Sequence, residues 1–155
     1  MVIVEIKGFD EVRKRLDEFP EKLQKKVVRQ GLKAGINIIV DEAKATAPVG
    51  SIYWNKGKSP GTLRNAITSR VATKRGQPAA VMLLTHGKSS RGIFVKNDAF
   101  YWRFVEYGHA MIRKNKKTGK VMPIPFLRTA ILKKWQMAVE KAKEYIIQRL
   151  DEGLR

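Results

Sequence analysis

The chain has 155 residues, an apolar fraction of 43%, and 32 Lys and Arg against 14 Asp and Glu, a formal net charge of +18. That length can bury a core without cross-links, and the absence of cysteine excludes disulfide frameworks, thiolate zinc sites and thiol nucleophiles. The cation excess points to nucleic acid, an anionic membrane face or an acidic protein partner.

Val2, Val4 and Ile6 alternate, which predicts a short half-buried strand over 2–7 that Gly8 breaks. Glu5 and Lys7 interrupt the unbroken apolar run that a cleavable signal needs, and no segment approaches the ~20 apolar residues of a membrane span. The expectation is a soluble protein made in a reducing cytoplasm, with no membrane partner.

Phe9, Val12, Leu16 and Phe19 recur at helical spacing, and Pro20 separates this short helix from the next. A long helix is predicted from Glu21 to about Thr46. Its stripe is Val28, Leu32, Gly35, Ile39 and Ala43, with Ile36, Ile38 and Val40 widening the apolar surface. Lys22, Lys25, Lys26, Arg29 and Lys33 keep the first half wet, and Ala47-Pro48-Val49-Gly50 stops the helix.

Residues 50–61 read as a loop. Ile67, Ser69, Val71 and Thr73 alternate with polar neighbours, while 79–85 is apolar on both faces, so a hairpin is predicted whose second strand lies deeper. A loop over 87–98 contains the extended piece Ile93-Phe94-Val95. A basic loop follows over 111–122, carrying Arg113, Lys114, Lys116, Lys117 and Lys120. Pro123 and Pro125 then introduce a last helix over about 126–150, with the stripe Leu127, Ile131, Trp135, Ala138, Ala142, Tyr145 and Leu150. The fold class is α+β: a small antiparallel sheet covered by two long helices, with shorter helices beside them, in a single domain over 1–155.

Motifs for chemistry are weak. GKS at 57–59 lacks the first glycine of a phosphate loop, because Ile52 stands there. His86 and His109 have no partner at metal-ligand spacing, and no serine sits on a nucleophile elbow. No catalytic residue, cofactor or metal is assigned, and the expectation is a protein that is not an enzyme.

The stretch AFYWRFVEYGHA, 99–110, holds five rings in eight positions together with one glutamate. As a helix it places Tyr101, Phe104 and Val105 on one side, which predicts a core face, with Glu106 projecting elsewhere. Gly108 then suits the position after a helix end.

FVEYGH at 104–109 and PFLRTA at 125–130 resemble the minor tail-component family of long-tailed phages, also called neck or tail-completion proteins. The family pattern is Phe-Val-Glu-Phe-Gly-Thr, then Pro-Phe-Leu-Arg-Pro-Ala opening the last helix. KATAPVG at 44–50 resembles its Ala-Pro-Val helix end, and PGTLRNAI at 60–67 its Thr-Gly-x-Leu-Arg-x-Ser-Ile. The ordered matches run from about residue 2 to 150. His109 and Thr129 depart from the pattern.

The resemblance implies a virion structural protein of the neck or tail, forming a homo-oligomeric ring at the head–tail junction. Neighbouring neck and tail proteins are its implied partners, and its basic loops would allow contact with DNA in the channel. The implied motif and interface residues are Phe104, Val105, Glu106, Tyr107, Gly108, Pro125, Phe126, Leu127 and Arg128, with Leu63 and Arg64. Glu106 is expected to pair with an arginine, either Arg128 of its own subunit or Arg64 of a neighbour. The alternative function is that of a small basic nucleic-acid-binding protein.

Overall fold

The computed structural model describes residues 9–50, 60–74, 77–84 and 99–153. The strand expected over 2–7, most of the loops 50–61 and 87–98, and Ile93-Phe94-Val95 lie outside the described residues. Among the described residues, five helices and two antiparallel two-stranded sheets make the protein α+β.

Helix α1 is Phe9–Asp17, with Asp10 and Glu11 in its first turn and Lys14 and Arg15 in its last. Those charges oppose the helix dipole at each end. The α1–α2 junction is closed by Gln24, whose Nε2 donates to the Phe19 carbonyl at 2.6 Å. Helix α2 spans Glu21–Thr46, the range its periodicity predicts. Its basic residues in the first half are exposed, and burial gathers from Gly31 to Ala47. Helix α3 (Thr62–Ala66) leads directly into β1 (Ile67–Lys74), which pairs with β2 (Gln77–Leu84). Helix α4 is Trp102–Tyr107, strands β3 and β4 are His109–Arg113 and Lys116–Val121, and α5 is Phe126–Gly153.

The chain falls into two compact units. In the unit comprising Met1–Ile38, Arg70–Val81 and Gln136–Arg155, Val12, Ile146 and Leu150 form a buried cluster. Leu16, Phe19, Val27 and Ile147 pack against it. Gly35 of α2 comes so close to α5 that a Cβ would run into the Ala138 carbonyl oxygen. Glycine there, with Ala138 and Ala142 opposite, brings the two helix backbones together.

In the unit comprising Ile39–Ser69 and Met82–Trp135, the buried apolar residues include Ile39, Val40, Ala43, Leu63, Ile67, Phe126 and Ala130. Lys133 Nζ donates to Glu42 Oε1 at 2.7 Å, and Lys134 lies 3.9 Å from the other oxygen. The hydrogen bond from Lys133 holds the Glu42 carboxyl below its ordinary value of 4.5.

Three expectations are corrected. The buried stripe of α5 runs through Phe126, Ala130, Ala138, Ala142, Ile146 and Leu150, so Ile131 and Tyr145 fall off it. Small residues sit where helices approach closely, and bulk is displaced to the flanks. Strand β2 is not the deeper strand: Val81 and Leu83 are exposed. An apolar run implies burial on both faces only inside a wider sheet, and among the described residues this sheet has two strands. The basic segment after residue 108 is a β-hairpin rather than a loop.

Candidate functional site

The site is built from α4, the β3–β4 hairpin and the first turn of α5. Its centre is the reverse of the arrangement that helical periodicity predicts. Glu106 is 3% exposed, while Phe104 is 51% and Tyr107 is 61% exposed. The rings of α4 that read as core face outward, and the carboxylate points in.

The first turn of α5 explains the inversion. Pro125 precedes Phe126 at the position where a Ser, Thr, Asp or Asn side chain ordinarily caps the helix. Proline offers no such acceptor. Glu106 supplies it from another element: the Leu127 N–H donates to Oε2 at 3.0 Å and the Arg128 N–H to Oε1 at 3.1 Å. A negative charge at the N-terminus of a helix is also favoured by the aligned peptide dipoles. Both oxygens are used, and the charge is held at the start of a 28-residue helix.

Neighbouring bonds complete a clamp. The Ile124 N–H donates to the Val105 carbonyl at 2.8 Å, and the Phe126 N–H to the Ile124 carbonyl at 2.9 Å. Phe126 is 2% exposed and anchors the turn. Gly108 has φ 71° and ψ 172°, a region open to glycine alone, and a Cβ there would lie 2.5 Å from the Val121 carbonyl oxygen. Gly108 thus lets the chain leave α4 against the returning strand β4.

The pairing expected with the Arg128 guanidinium of the same subunit is corrected accordingly. Arg128 meets Glu106 through its main-chain N–H, and its guanidinium lies over the Tyr107 ring at 5.7 Å. Arg64 is exposed on α3, whereas its neighbour Leu63 is buried. The motif residues Phe104, Val105, Glu106, Tyr107 and Gly108 are therefore brought against Pro125, Phe126, Leu127 and Arg128, with Leu63 lining the same groove as Phe104 and Val105.

From this base rises the hairpin. Arg113 pairs with Lys116 across a two-residue turn, Lys114-Asn115, whose φ angles are 47° and 59°. Positive φ at both central residues is the type I′ geometry that matches strand twist. The register runs Arg113↔Lys116, Ile112↔Lys117, Met111↔Gly119, Ala110↔Lys120 and His109↔Val121. Thr118 is the bulged residue, and its hydroxyl donates to the Met111 carbonyl at 3.3 Å. Arg113, Lys114, Lys116, Lys117 and Lys120 are all exposed, and no carboxylate stands between residues 107 and 139.

At the foot of the hairpin lies an apolar groove of about 320 Å³, lined by Val49, Leu63, Phe104, His109, Met122 and Ile124 among others. Phe104 and His109 meet edge to face, with ring centroids 5.4 Å apart. Among the described residues, no group of three or more His, Cys, Asp or Glu could hold a metal ion, and no helix is long and apolar enough to cross a membrane.

Glu106 carried a signal that periodicity overrode. It is the single carboxylate between residues 99 and 139, and the long helix beginning after Pro125 has no cap of its own. The two facts together point to a carboxylate reaching the helix start.

Fold and site define a small α+β protein, in which a buried carboxylate ties an aromatic helix to the start of a long one. The family model "Bacteriophage HK97-gp10, putative tail-component" matches residues 10–108, more than half of the chain. The chain belongs to this HK97-gp10-like family and is a phage tail-related structural protein. The match ends at Gly108, so the hairpin and α5 lie beyond it. No curated protein and no solved structure matches significantly.

Proposed function

We propose that the protein forms a ring at the head–tail junction of a phage or prophage particle and acts in tail completion or head–tail joining. The observation that carries this reading is the outward-facing apolar surface around the clamp. Phe100, Phe104, Tyr107, Met122 and Ile124 are all exposed beside a carboxylate that is fully engaged. Exposed apolar groups gathered in this way mark association surfaces. Family membership supports reading the associating partners as virion components, namely further copies of this chain and neighbouring neck or tail proteins. A ring requires one patch on a subunit to meet a different patch on the next, with a rotation that closes.

Electron microscopy of particles assembled without this protein tests the reading. Full heads beside unattached tails are expected. Normal joined particles would refute it.

The β3–β4 hairpin supports a second reading, a nucleic-acid-binding protein, because five cations stand on it without a carboxylate. Under that reading the free protein binds duplex DNA at physiological ionic strength, with affinity falling steeply as salt rises. Joined particles in the absence of the protein, together with such binding, would favour it.

A further inference from the structure

The hairpin raises a physical problem that its sequence does not solve. An isolated two-stranded hairpin is marginal in water, and this one has no buried side chain among its strand residues. Ile112 is 68% exposed and Met122, just past β4, is 71% exposed. Its foot is held by Gly108 and the Val105–Ile124 bond, and among the described residues its far end is held by its own ladder.

Register shows how the surface is organised. Residues in cross-strand pairs share a face, and alternate pairs return to it. The Arg113/Lys116, Met111/Gly119 and His109/Val121 pairs therefore lie on one face. Met111 reaches across Gly119, where its methyl carbon would stand 2.8 Å from an added Cβ. His109 and Val121 also line the apolar groove. One surface thus runs from an apolar groove at the foot, over Met111, to cations at the tip.

We propose that this surface docks an acidic amphipathic segment of another protein, with its apolar side chains in the groove and its carboxylates over Arg113, Lys114 and Lys116. Charge complementarity selects the occupant. A second copy of the same hairpin would bring five like charges to the contact and is repelled. Lysines and the bulge at Thr118 likewise blunt the strand edges against indiscriminate pairing. Nucleic acid would satisfy the cations but gains nothing from Phe104, Met122 and Ile124 in the groove. Only a partner that carries carboxylates and apolar groups together uses both halves. The proposal is independent of any ring that forms through other surfaces of the chain.

The test uses the full chain and a fluorescein-labelled peptide of about ten residues alternating glutamate with leucine and phenylalanine, a length that spans the hairpin as an added strand. A sister peptide carries lysine for glutamate, and a labelled DNA duplex is the third probe. Two surface variants, Met122→Asp and the pair Arg113→Glu with Lys116→Glu, are checked for unchanged melting, as expected of exposed positions. The acidic peptide is expected to bind, and each variant to weaken it at least about tenfold. The lysine peptide is expected not to bind.

Equal binding of the two peptides, or acidic-peptide binding that ignores Met122→Asp, overturns the proposal. Duplex binding that falls with charge reversal but ignores Met122→Asp, with no peptide bound, makes this a phosphate-binding surface and also overturns it. So does self-association abolished by Met122→Asp in a protein that binds no peptide, because the groove then belongs to a second copy.

Discussion

Glu106→Gln changes little more than a charge, and in the clamp that is enough to be costly. The carboxylate accepts one main-chain N–H on each oxygen, at 3.0 and 3.1 Å, and is 3% exposed. Glutamine retains one carbonyl acceptor and turns an NH2 group towards the other N–H. One charge-assisted hydrogen bond is lost and a buried donor is opposed, each worth about 1.5–3 kcal/mol. The favourable interaction with the helix dipole, about 0.3–2 kcal/mol, goes as well. Partial hydration of a helix end offsets some of this, so the expected net loss is about 2–4 kcal/mol.

Urea unfolding should show the lower midpoint, and melting should fall by roughly 4–16 °C for a chain of this size. Phe104→Ala is the control. With the ring 51% exposed, it should cost below about 1.5 kcal/mol. Periodicity alone predicts the opposite order, a costly phenylalanine and a cheap glutamate. A Glu106→Gln protein within about 0.5 kcal/mol of wild type, or a Phe104→Ala protein less stable than it, would refute the capping role.

Gly108→Ala places a Cβ 2.5 Å from the Val121 carbonyl oxygen at φ 71°, so a loss of at least about 1–3 kcal/mol is expected by urea unfolding. Glu42 titrates below its ordinary 4.5 because Lys133 holds it ionised, so its contribution is present above that pH and lost as pH falls through the lowered value. Lys133→Met should flatten this acid limb in melting curves taken across that range, and an unchanged limb would count against the pair. Neutralising Lys114, Lys116, Lys117 and Lys120 to Gln should move stability by less than about 0.5 kcal/mol, since all four are exposed.

The long elements are legible in the sequence because their signals are local and repeated. Helix α2 stops where Ala47-Pro48-Val49-Gly50 says it should, and α5 starts after Pro125. Membership of the phage tail family is legible from the ordered motifs, and the family match over 10–108 agrees with it. What the residues conceal is which face of a short helix turns inward. In α4, six residues long, aromatic bulk and one carboxylate compete for the interior. The outcome is decided 21 residues away, by the uncapped start of α5. The hairpin is hidden for a different reason. Lysine, asparagine and glycine are poor strand formers, and its order comes from the I′ turn at Lys114-Asn115 and from its anchored foot.

The anchoring at Glu106 and Val105 has a consequence for variation. The chain between Gly108 and Met122 leaves and returns at one clamped point, so what stands between those residues contributes little to holding α4 on α5. Lengthening such an excursion is cheap, since doubling a loop costs only about 0.6 kcal/mol in closure entropy. The hairpin is therefore an exchangeable head on a fixed stem. A longer arm, a shorter turn or a grafted peptide tag can replace 109–121 while Glu106 continues to seat the helix.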